Sequence, residues 1–142
     1  MPRISTAFFA TAVLYALAGM SLGMFMGATQ DFTMRPLHAH INLLGWATLA
    51  LMGAFYGVAG DRAPVRLGWT VFVMANLGNL MLLSMLAQIL QGKPPILPIL
   101  MGGEVLVVLA MALFGVGVLL AGRRPRAAVE GAGENQPLRR AA

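Results

Sequence analysis

Residues 35–59 read RPLHAHINLLGWATLALMGAFYGVA, and no charged residue follows Arg35 in this stretch. From Leu37 to Ala59 it is dominated by apolar side chains, and about 20 such residues make a helix long enough to cross a bilayer. An open strand in lipid would leave its N–H and C=O groups unpaired, so helix is the only form this run can take there.

Similar runs lie on both sides, at residues 4–29, 67–90 and 95–121. The connectors QDFTMRP, GDRAPVR and QGKPP are short, which makes successive helices antiparallel neighbours. Pro36, Pro64, Pro94, Pro95 and Pro98 fall at the edges of the runs, where a missing N–H costs little and a helix can start. The expectation is an all-α, integral membrane four-helix bundle over residues 1–121. Residues 122–142 are polar and rich in Gly, Ala, Pro and Arg, and read as a disordered tail.

The composition agrees. The 142 residues are 58% hydrophobic and 11% charged, against about 25% charged in a soluble domain. Mean hydropathy is +0.77. Only Arg3, Asp31, Arg35, Asp61, Arg62, Arg66, Lys93 and Glu104 carry charge before residue 122. This excludes a soluble enzyme, a disordered chain and a nucleic-acid-binding domain; no basic stripe interleaved with aromatics accompanies the net charge of +5. The cysteine count is zero, so disulfides, thiolate metal sites, iron–sulfur clusters and covalent haem attachment are excluded. Residues 7–18 with Ala16-Leu17-Ala18 imitate a signal peptide, but the apolar run continues to Thr29, so the expectation is an uncleaved first span.

Arg3, Arg62, Arg66 and the arginines after residue 122 gather at one end of the spans, and Arg35 and Lys93 at the other. By the excess of Lys and Arg in cytoplasmic loops, both termini are expected to be cytoplasmic. His38 and His40 then lie in the first turns of the second span, near the outer face. The first span carries Gly19, Gly23 and Gly27, a small-residue series that admits a second helix backbone or a flat cofactor. Ordinary helix packing is the plainer expectation.

Both histidines of the chain occur in HAH, and ionisable groups inside a span are costly and rare. Positions i and i+2 of a helix point about 200° apart, while two imidazoles on one metal must each bring a nitrogen to about 2 Å. His38 and His40 therefore serve two sites on opposite faces, or one ligates and the other is structural. His38 shares its face with Asn42, Gly45 and Leu49, and Gly45 leaves a flat gap for a planar ring. His40 shares its face with Leu43, Leu44 and Ala47. Met20, Met24, Met26, Gln88 and Glu104 lie in the same outer half. Asn76 and Asn79 lie deeper in the third span and read as glue between helices; Trp46 and Trp69 read as packing or interfacial anchors.

The segment RPLHAHINLLGW resembles the second helix of subunit I of the haem–copper oxidases, most closely the C-type cytochrome oxidases and nitric oxide reductases, where Arg-X-Leu-His opens that helix. His38 matches the family's axial ligand of the low-spin haem. The HxH spacing is also similar to the family's tenth helix, in which the two histidines bind two haems on opposite faces. The strong part of the likeness is confined to Arg35–Trp46 and the apolar run after it. The family's subunit I has twelve spans in three arcs of four, and this chain looks like one arc; three copies in a homotrimer would rebuild the cylinder. The family's copper-binding histidines have no counterpart here, so a complete haem–copper reduction site within one chain is excluded.

The resemblance implies a b-type haem protein of the bacterial inner membrane that transfers electrons through His38 and His40 across subunit interfaces. Arg35 would lie near the haem propionates, and Asn42 or Glu104 would orient an imidazole. Two other readings stand beside it. One is copper handling, with Met20, Met24 and His38 as soft ligands. The other is a cofactor-free assembly or accessory subunit packing through Gly19, Gly23 and Gly27.

Overall fold

The computed structural model describes residues 1–123. Four helices in it are long and apolar enough to cross a membrane: α1 (Arg3–Thr29), α2 (Arg35–Arg62), α3 (Val65–Leu90) and α4 (Leu97–Arg123). Each has 26–28 residues, or roughly 40 Å at 1.5 Å per residue, enough for a hydrocarbon core about 30 Å thick. The described residues form an all-helical membrane protein, as the four apolar runs require.

Local chemistry sets the boundaries. α1 stops where Gln30 turns left-handed at φ 53°, and the Gln30 side chain closes the end by donating to the Gly27 carbonyl at 2.6 Å. α2 starts at Arg35, two residues before the apolar run, because Pro36 in the first turn needs no N–H partner. Its far end tightens into a 3₁₀ turn over Gly60–Arg62, with Gly60 at positive φ. α4 begins at Leu97 rather than residue 95, since the paired Pro94 and Pro95 hold the chain extended. It also runs through Gly122 and Arg123, so the first two residues expected in the tail belong to the span. The rest of that tail, residues 124–142, lies outside the described residues.

The sequence gives no sign of one feature of α2. Between the α-helical His40 and Thr48, residues Ile41–Ala47 form a π-helical segment. Its wider turns bond each N–H five residues back, as from Thr48 to the Leu43 carbonyl. Such segments are uncommon and concentrate at functional sites. This one directly follows the two histidines.

α1 pairs with α2 and α3 pairs with α4, while α1 and α4 share no more than a glancing contact. α2 and α3 therefore lie between α1 and α4, while α1 also meets α3 at Phe8–Phe72 and α2 meets α4 at Phe55–Phe114. Small residues allow both pairings. On α3 and α4, Gly78 and Gly103 touch backbone to backbone; a Cβ at Gly103 would stand 2.8 Å from the Leu82 nitrogen and 3.0 Å from the Gly78 oxygen. On α1 and α2, Gly53 receives Phe8, and the buried Ser5 hydroxyl donates to the Gly53 carbonyl at 2.8 Å.

The densest packing lies toward the Arg3–Arg62 end. Ile4, Phe8, Leu49, Met52, Tyr56 and Val71 are fully buried there. The Phe8 and Tyr56 rings stack at 5.6 Å, and Phe72 and Phe114 meet the cluster edge-on. The opposite end, where α2 and α4 begin, carries the polar residues singled out above.

Candidate functional site

His38 is built into the α1–α2 crossing. Its imidazole sits in the groove left by two glycines one turn apart: a Cβ at Gly23 would stand 2.9 Å from His38 Cε1. The His38 Nδ1–H donates to the Gly19 carbonyl at 2.9 Å. A carbonyl only accepts, so the proton resides on Nδ1 and the lone pair on Nε2. The Asn42 amide covers that lone pair. Its Nδ2 stands 3.4 Å from Nε2 and donates to the His38 carbonyl at 2.8 Å. Asn42 in turn fills the space over Gly19, where a Cβ would lie 2.6 Å from Nδ2.

His40 has the opposite environment. It is exposed, and its Nδ1–H donates to the Pro36 carbonyl one turn earlier at 2.8 Å. That bond fixes the ring and leaves Nε2 as the free nitrogen of an outward imidazole. Arg35 is also exposed, with its guanidinium 5.1 Å from the centre of the Phe32 ring.

The 200° divergence of His38 and His40 thus becomes a contrast between a ring held against α1 and a ring facing outward. His38, Asn42, Gly45 and Leu49 do share the α1-facing side of α2. The flat gap expected at Gly45 is absent, however. The Tyr15 ring fills it, so that a Cβ there would overlap the ring carbons, and Gly45 is buried.

Other expected residues are not brought to the histidines. Glu104 is exposed on α4, which packs against α3 through the adjacent Gly103. Met20 and Met24 are exposed and lie one residue beyond Gly19 and Gly23, about 100° round α1 from the face that receives His38. Met26 is buried. Gly27 meets nothing within 4 Å, so the small-residue series packs α2 at Gly19 and Gly23 only. Among the described residues no group of three or more His, Cys, Asp or Glu could hold a metal ion. Asn79 binds across helices, donating to the Leu44 carbonyl inside the π segment at 3.1 Å. Asn76 does not; it donates to Phe72 of its own helix at 2.8 Å.

The two rings differ in which nitrogen they leave open. A ligating His typically donates its other ring N–H to a carbonyl or carboxylate, and both rings do so. Only at His40 is the remaining nitrogen open. With Tyr15 over Gly45 and Asn42 over His38, a porphyrin has no slot between α1 and α2. Comparison with known proteins gave no match, whether to a family model, a curated protein or a solved structure.

Proposed function

We propose that the chain is a b-type haem-binding membrane protein of the electron-transfer kind, with His40 as the iron ligand it presents outward. The observation that carries this reading is the His40 ring, exposed and held through Nδ1 by the Pro36 carbonyl with Nε2 free. Haem b bound there would supply a one-electron iron couple. Arg35 offers a cation to an anionic propionate. His38 and Asn42 brace α2 against α1 and keep the HAH turn in place. This narrows the two-ligand expectation, because the free nitrogen of His38 is covered.

A second copy would supply the other residue that holds the haem in this reading, and the lack of a substantial α1–α4 contact supports an assembly that closes on itself. A homotrimer of such four-helix units, placed in the bacterial inner membrane with both termini cytoplasmic, follows from the likeness of RPLHAHINLLGW to haem–copper oxidase subunit I. The arginines at the Arg3–Arg62 end support that orientation.

The test is the optical spectrum of dithionite-reduced full-length protein made with ample haem. The expected result is a Soret band and α-band that His40→Ala abolishes. No haem absorbance in the unaltered chain ends the reading, and a strict monomer with haem bound removes the trimer. A cofactor-free packing role has its own supporting observation, since His38 bonds the Gly19 carbonyl of α1 and Asn42 packs over the same glycine. It predicts blank spectra throughout and a stability loss for His38→Ala alone.

A further inference from the structure

A cleft of about 250 Å³ opens between α2 and α4 at the Arg62 end, away from the histidines. Phe55, Val58, Ala59 and Arg62 form one wall; their spacing of three, four and seven residues puts them on one helix face. Val118, Ala121 and Gly122 form the other at the same kind of spacing. The space exists because Ala59, Ala121 and Gly122 are small, and a Cβ at Gly122 would meet nothing within 4 Å. Every wall residue but one is apolar. The exception, Arg62, stands in the terminal turn of α2, is exposed, and makes no salt bridge among the described residues.

From Phe55 to Arg62 the wall is roughly 10 Å long. An extended peptide would leave its backbone N–H and C=O groups unpaired against apolar walls. A hydrocarbon chain has no polar groups to satisfy. The level of Arg62, where the span ends, is the level of lipid head groups.

We propose that this cleft holds an acyl chain of an anionic glycerophospholipid, with its phosphate on the Arg62 guanidinium. The site borders the packed core through Phe55 and Ala59 and is independent of any haem at His40.

The test uses the full-length chain carrying Val58→p-benzoylphenylalanine, in vesicles of equal parts phosphatidylcholine and phosphatidylglycerol, with adducts identified by mass after illumination. Val58 lines the cleft and is largely exposed. Phosphatidylglycerol adducts should exceed phosphatidylcholine adducts about fivefold, the preference one guanidinium near an anionic surface supports. Adding Arg62→Gln should bring the ratio to about one, while Arg66→Gln, on α3 outside the cleft, should leave it unchanged. Gly122→Leu should lower total lipid adducts several-fold. Equal adducts in the unaltered cleft would overturn the proposal, as would equal effects of Arg62→Gln and Arg66→Gln. Adducts with residues 124–142 or with a second copy would also overturn it, assigning the cleft to protein.

Discussion

The His38 Nδ1–H and the Gly19 carbonyl, 2.9 Å apart, tie the second helix to the first at the depth where the α1 glycines let the two backbones approach. A new methyl group at Gly23 would press on His38 Cε1 from 2.9 Å, and one at Gly19 on the Asn42 amide from 2.6 Å. Gly19→Ala and Gly23→Ala should each destabilise the protein by about 1–3 kcal/mol, the usual cost of overpacking. Gly27→Ala, with nothing within 4 Å, should be neutral or slightly stabilising through helix propensity. His38→Ala should cost about 1 kcal/mol through the lost interhelical bond, and His40→Ala close to nothing. Helical circular dichroism during titration with a denaturing detergent reads all five variants on one scale.

Asn79 and Asn76 are chemically alike, lie on one helix, and should behave differently. Asn79 is buried and reaches across to the Leu44 carbonyl of α2, whereas Asn76 bonds back to Phe72. Removing the cross-helix donor leaves a π-segment carbonyl short of a partner. Asn79→Leu should therefore cost about 1–2 kcal/mol, and Asn76→Leu less than half of that. Equal costs in the same detergent titration would mean that the Leu44 bond adds nothing.

The sequence makes the four spans plain because bilayer thickness sets a length that few other structures need, and runs such as residues 67–90 meet it. It also shows that His38 and His40 diverge, since that follows from the angle per residue. Which imidazole is covered is not legible, because that depends on the register of a partner helix. Gly19 and Gly23 announce a close approach in the GxxxG spacing, but nothing local says that a histidine fills the groove. Tyr15 covers Gly45 for the same reason: the contact joins residues thirty positions apart. The π segment over Ile41–Ala47 has no compositional mark, being made of residues that fit an α-helix equally well. Glu104 shares the depth of the histidines, but depth does not set facing: it is exposed on α4, whose neighbouring Gly103 packs against α3.

The α1–α2 loop contains a pH-sensitive turn. The Asp31 carboxylate accepts from the Thr33 N–H at 2.9 Å and from the Thr33 hydroxyl at 2.6 Å. The hydroxyl bond, then the backbone bond, hold its pKa below the ordinary carboxylate value. A depressed pKa means that the ionised form is favoured in the fold. The contribution is present above the unfolded value and is lost as pH falls through the lower folded one. The Thr33 amide resonance should shift as pH is lowered past the ordinary carboxylate range, and Asp31→Asn, which cannot ionise, should remove that transition. The carboxylate is fully solvated, so global stability should barely change.

Tyr56 is fully buried, and its hydroxyl has no hydrogen-bond partner among the described residues. The ring itself is well used: it stacks on Phe8 at 5.6 Å and meets Phe55 edge-on at 5.3 Å. Gly68 makes room for it, since a Cβ there would stand 2.7 Å from Tyr56 Cζ. An unpaired hydroxyl in such surroundings costs about 1–3 kcal/mol, while the ring contacts survive replacement by phenylalanine. Tyr56→Phe should therefore raise stability by about 1 kcal/mol. Tyr56→Ala should lose about 3–5 kcal/mol through the cavity it leaves, and Gly68→Ala should destabilise by pushing on the ring. A loss of stability in Tyr56→Phe would show that the hydroxyl has a partner in the membrane, such as a buried water, and would reverse the sign of this argument.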